Sequence, residues 1–108
     1  MDPLAQAARL GLRVEIEDFG AAARFVAAEY DPHARAIYVN ARLLCGSADR
    51  AGVLAACVAH ELYHHLEHAG AVPCEPDKRR REERADAYAR RSFALTVDPA
   101  SVRRRLRR

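Results

Sequence analysis

Three observations predict an α+β domain: residues 12–18 alternate apolar and charged side chains, Ile37-Tyr38-Val39 favours extended backbone, and helical periodicity takes over after Asn40. The expected architecture is a small N-terminal sheet packed on two major helices. At 108 residues the chain has room for one core, expected over residues 1–97, followed by an Arg-rich tail over 98–108.

Asp2 and Pro3 read as the cap and first turn of a short helix running to about Leu10, which Gly11 stops. Leu-Arg-Val-Glu-Ile-Glu-Asp at 12–18 has the period of a strand with one buried face. Residues 24–30 and 35–39 are expected to pair as a hairpin around Asp31-Pro32-His33, where proline presets the turn. Ser47 or Asp49 caps a long helix over about 50–68, ended by Gly70 and Pro73. Leu54, Val58, Leu62 and Leu66 recur every four residues along it, so one stripe faces a core. A proline-containing loop over 72–78 leads to a second major helix over 79–95, and Asp98-Pro99 opens a short terminal helix.

Composition narrows the function classes. Half of the residues are hydrophobic and 31% are charged, which excludes a disordered polymer. No run approaches the roughly 18–20 apolar residues of a membrane span. Residues 1–12 lack a secretory leader pattern, so a cytoplasmic location and no membrane partner are expected. Cys45, Cys57 and Cys74 are odd in number and form no Cys-x-x-Cys pair, which argues for reduced thiols rather than a disulfide framework or thiolate zinc knuckle. With no Trp and few other aromatics the core is modest, and a bound metal would add to it. The formal charge of +3 is a tail property, because residues 98–108 carry five Arg against one Asp. That tail has no interleaved aromatics and no recognised nucleic-acid motif, so it is expected to be solvated and a nucleic-acid partner is not. Nothing in the sequence sets an oligomeric state.

His60-Glu61-Leu62-Tyr63-His64 matches H-E-x-x-H. Residues four apart on a helix differ by about 40° in azimuth and about 6 Å in rise, so two imidazoles there converge on one ion. Glu61 lies one position beyond the first imidazole, where a general base reaches a metal-activated water. Leu62 and Leu66 fall about 200° and 240° around the wheel from His60, opposing the histidine face to the core face. His68 continues the four-residue series, but a rise of about 12 Å puts it beyond reach of the same ion, and His65 and His68 read as solvated or supporting side chains.

A third ligand is expected from the second major helix. Measured from Glu82, the residues Ala85, Asp86, Ala89 and Phe93 all lie within about 60°, so one face offers a carboxylate, small residues for close approach and a second carboxylate. Asp86 would accept the free ring N–H of a ligating histidine. Glu83, Arg84, Ala87, Arg90 and Arg91 read as solvent-facing. The same pattern also fits an ordinary charged amphipathic helix.

His60-Glu61-x-x-His64 followed by Glu82-x-x-Ala85-Asp86-x-Tyr88-Ala89 resembles the gluzincin metallopeptidases. The stretch from Ala28-Glu29-Tyr30-Asp31-Pro32 through Ile37-Tyr38-Val39-Asn40 and on to His-Glu-Leu-x-His-His-x-x-His is similar to the small ImmA/IrrE-type peptidases. That likeness spans most of residues 25–90. It departs from them at Tyr63, where they carry a small residue, at Asp86, where they carry Asn, and in lacking a Leu-rich segment that ends in Pro. Glu82-Glu83-Arg84-Ala85-Asp86 looks more like the HtpX-type peptidases and their minimal soluble relatives.

The resemblance implies a minimal zincin-like fold and one Zn²⁺ per chain held by His60, His64 and Glu82, with Asp86 behind a ligand and Glu61 as general base. It also implies a zinc-dependent endopeptidase acting on a protein or peptide substrate, for ImmA/IrrE-type proteins a transcriptional repressor. Tyr88 is a candidate for steadying the oxyanion, although its angle of about 240° from Glu82 also suits the core. Asn40 and the strand over residues 37–40 are candidates for substrate contact by strand addition. The competing readings are a zinc-binding interaction module that does not cleave, a minimal HtpX-like peptidase kept as a latent precursor, and an Arg-tail nucleic-acid binder with an incidental histidine pair. Cys74, in the loop between the two helices, reads as a plain loop cysteine, with a thiolate cap on the metal as the alternative.

Overall fold

The computed structural model describes residues 2–106, and Arg107 and Arg108 of the expected tail lie outside it. The fold is α+β: helix α1 (Pro3–Arg9), strands β1 (Arg13–Glu17), β2 (Ala28–Asp31) and β3 (Ala36–Asn40), then helices α2 (Ala41–Leu44), α3 (Arg50–His68), α4 (Lys78–Ser92) and α5 (Pro99–Leu106). Among the described residues no helix is long and apolar enough to cross a membrane.

Aspartates start three of the helices. Asp2 accepts from the Leu4 N–H at 3.3 Å, Asp49 from Gly52 at 2.8 Å and Asp77 from Arg80 at 3.0 Å, each satisfying a first-turn donor. Of the two caps considered for α3, Asp49 is the one used. The helix ends as its sequence suggests: Gly70 takes φ +78°, and the Ala71 N–H turns back to the Leu66 carbonyl at 2.9 Å.

The three strands form one sheet in the order β1-β3-β2, with β1 parallel and β2 antiparallel to β3. β1 forms where expected, but its burial does not alternate as its sequence does: Leu12 is buried, Val14 packs against the core and Ile16 is half exposed at 50%. The second strand is shorter than the expected 24–30. Gly20–Arg24 is a 3-10 turn, begun by the Asp18 carboxylate accepting from the Gly20 N–H at 2.8 Å, and its Ala-rich sequence has little extended propensity. The hairpin turn itself is closed by Asp31, whose Oδ1 accepts from His33 and Ala34.

Helix α3 runs through the middle of the molecule. It packs on β2 and β3, on α1, and on α4 and α5, and residues 56–63 are buried on every side. Ile37 and Val39 of β3 and Val53, Val58 and Leu62 of α3 are fully enclosed in one core. Ile37→Val should therefore lower unfolding free energy by about 0.5–1.5 kcal/mol, read from urea denaturation; an unchanged midpoint would mean the sheet and helix do not share this core.

The C-terminal segment corrects an expectation. Solvation holds for Arg104 and Arg105, but Pro99 and Val102 are buried, Val102 at 2% exposure, and α5 packs on α3. The physical reason is amphipathicity: residues 99 and 102 lie three apart and turn one apolar face inward.

Candidate metal centre

The site is assembled from α3 and α4 by a short, well-braced loop. Between the helices Glu75 is buried: its Oε1 accepts from the Asp77 N–H at 3.1 Å and its Oε2 pairs with Arg84 at 3.1 Å. The Glu75 N–H donates to Glu67 Oε2 at 3.3 Å, which ties the loop to the end of α3. Ala85 and Ala89 are fully buried on the face of α4 that meets α3, so the two backbones approach closely, while Glu83, Arg84, Ala87, Arg90 and Arg91 are exposed. The wheel placed both sets correctly.

This packing brings His60, His64, Glu82 and Asp86 together. His60 is buried, and its Nδ1–H donates to Asp86 Oδ1 at 2.7 Å. The His64 Nδ1–H donates to Glu67 Oε1 at 3.0 Å. Each carboxylate fixes the orientation of its ring through Nδ1, so both Nε2 atoms face the same point. The two Nε2 atoms are 3.3 Å apart, and Glu82 spans them, Oε2 at 2.5 Å from His60 and Oε1 at 3.5 Å from His64. In the metal-free chain Glu82 accepts from the Nε2 atoms of the two imidazoles, and a cation bound between the three groups would take the place of those protons.

Glu61 completes the group. It is buried, its Oε2 is 3.7 Å from His60 Nε2, and its ligand atom lies with those of the two imidazoles within 4.8 Å. Two carboxylates thus compete for the third position beside the histidines. Glu82 lies nearer to His60 Nε2 than Glu61 does and also reaches His64, so either carboxylate could supply the third donor.

The electrostatics point the same way. Glu61, Glu67, Glu82 and Asp86 surround two imidazoles and one guanidinium, an excess of negative charge in a mostly buried place. Burial opposes charging His60, but its hydrogen bonds to Asp86 and Glu82 outweigh it and push the imidazole up to about 9. Burial likewise opposes charge on Glu82 and on Asp86. Hydrogen bonds from both imidazoles nevertheless hold Glu82 well below the usual carboxylate range, and Arg103 and His60 bring Asp86 to about 2. Burial raises the Glu61 carboxyl, which makes it a stronger base. The field that favours a proton on Nε2 also favours a divalent cation there.

Two clefts, of about 760 and 720 Å³, meet at this point, since Glu61, His64 and Glu82 line both. Glu29, Tyr30, Asp31 and Cys74 line the first; residues 25–28 and α5 line the second. No protein-family model, no curated protein and no solved structure matches this chain.

Other expected site residues lie elsewhere. Asn40 is fully buried, donating from Nδ2 to the Ala23 and Val26 carbonyls at 2.8 and 2.9 Å and capping α2 through Arg42; it braces the fold and offers nothing to a substrate. The strand over residues 37–40 is the central one, paired on both sides, so strand addition there is closed. Tyr88 packs against Tyr63 and Phe93 and lines neither cleft, as its angle on the wheel allows. His65 and His68 pack edge-on against Tyr30, whose hydroxyl is 2.8 Å from His65 Nδ1. Glu67 and Arg103 went unrecognised in the sequence. Glu67 was within reach, being three residues beyond His64 on the same helix face.

Proposed function

We propose that the chain is a zinc-dependent endopeptidase. The observation that carries this reading is the convergence of His60 Nε2, His64 Nε2 and Glu82, each imidazole braced by its own carboxylate, beside a buried Glu61 where two clefts meet. Zinc suits two imidazoles and one carboxylate in a site of this size, and when bound it supplies the Lewis acidity that activates water and polarises a carbonyl.

The chain's own residues do the rest. Asp86 and Glu67 hold the imidazoles in their ligating tautomers. Glu61 takes the proton of the attacking water and delivers it to the leaving amine, a shuttle that burial of the carboxylate favours. The outer edge of β2 is unpaired among the described residues, and Ala28 lies in both clefts. An extended peptide laid along that edge would cross the centre, which suits a protein or peptide substrate.

The test uses the intact chain, purified without a metal-affinity column. About one zinc per chain is expected by elemental analysis, together with cleavage of an unfolded protein that a chelator stops and added zinc restores. A chain that holds no zinc after reconstitution would sink the reading, and one that holds zinc yet leaves every unfolded protein intact would make it a binding module.

A further inference from the structure

We propose that Arg103 is a positioning residue of the metal centre, through which the C-terminal helix holds His60 in its ligating orientation. This rests on the metal-binding reading above. Arg103 grips Asp86 as a fork, NH1 to Oδ1 at 2.9 Å and NH2 to Oδ2 at 2.5 Å. Asp86 is itself 4% exposed, and its Oδ1 is the atom that receives the His60 Nδ1–H. The guanidinium NH1 lies 3.4 Å from that ring nitrogen.

A carboxylate that accepted only the imidazole bond would be free to swing about its own side chain. Fixing its second oxygen fixes its plane, and with it the plane of the His60 ring. Arg103 is held to this task by its neighbour Val102, buried at 2% exposure, whereas Arg104 and Arg105 on the same helix are exposed. The fork is specific to arginine, since lysine offers a point charge without two parallel donors. The structure thus contains a relay from α5 through α4 to α3, ending at the ligand atom.

The competing role is plain charge neutralisation of a buried aspartate, and Arg103→Lys separates the two. Zinc affinity is measured by competition with a chromophoric chelator on Arg103→Met, Arg103→Lys and Arg104→Ala, with far-UV circular dichroism confirming folding. The downfield Nδ1–H proton resonance of His60 is followed in the metal-free proteins at one pH. Partners that orient a ligand are worth about 10–100-fold in affinity, and Arg103, acting through one, is expected at about 10-fold for Met with a smaller loss for Lys. Arg104→Ala should match wild type. The His60 resonance should be sharp in wild type and broadened by exchange in Arg103→Met.

Unchanged or tighter zinc binding in folded Arg103→Met would overturn the proposal, and so would full wild-type affinity in Arg103→Lys. Should the Met variant fail to fold, the Lys variant decides alone. If wild type itself bound no zinc, the metal reading would fall while the His60 resonance still tested the relay, an unaltered line in the variants overturning it.

Discussion

Glu61→Gln is expected to keep about one zinc per chain while losing peptide cleavage by about 10²–10⁴-fold. The amide has the size and shape of the carboxylate, so α3 and its packing should be untouched, but it cannot take a proton from water. Glu61 sits one residue past His60, is 7% exposed and lines both clefts, so a substrate crossing the centre must pass it. Burial makes its carboxylate a better base than one in water. Elemental analysis and the ratio kcat/KM on one unfolded protein check both halves of the expectation. Loss of zinc along with cleavage would make Glu61 a ligand in place of Glu82; an unchanged rate would put the base elsewhere.

Sequence periodicity is a local property, and what was legible followed from it. The limits of α3 and the two faces of α4 come from residues three and four apart, and those spacings are insensitive to what the helix later packs against. His60, His64 and Glu82 could be brought together on paper because small residues at Ala85 and Ala89 let one helix approach another. The overlong second strand and the missed Glu67 are local misreadings, but the other failures are non-local. Ile37-Tyr38-Val39 reads as a strand whichever neighbours it has, and only the order β1-β3-β2 shows that it has two and no free edge. Asn40 looks like a polar residue awaiting a ligand until the Ala23 and Val26 carbonyls are found beside it. Arg103 stands 17 positions from Asp86, and no helical spacing links them. An Arg-rich terminal segment reads as solvated because its charges dominate its composition, although buried Pro99 and Val102 and the Arg103–Asp86 pair dock it.

Glu82→Ala should abolish stoichiometric zinc and, with it, the stabilisation zinc confers. At free zinc 100-fold above Kd, binding to the folded chain alone is worth about 2.7 kcal/mol, or about 10–20 °C in Tm for a domain of this size. The variant keeps two imidazoles and should show almost none of that rise in a thermal melt. The pH dependence carries a sign that tests the same cluster. In the metal-free chain His60 is raised from 6.5 to about 9, so its contribution is whole below pH 6.5 and is lost as pH climbs through about 9. Glu82 is depressed from 4.5, so its contribution is present above that value and is lost as pH falls through its lower folded value. Metal-free wild type should therefore lose stability between pH 6.5 and 9, and Glu82→Ala should lose less, because one of the carboxylates holding the proton on His60 is gone. Zinc reverses the slope, since it must displace that proton and binds more tightly as pH rises. A zinc-dependent Tm shift that shrank from pH 6.5 to 9, or that survived in Glu82→Ala, would mean the ion is held somewhere other than between these two helices.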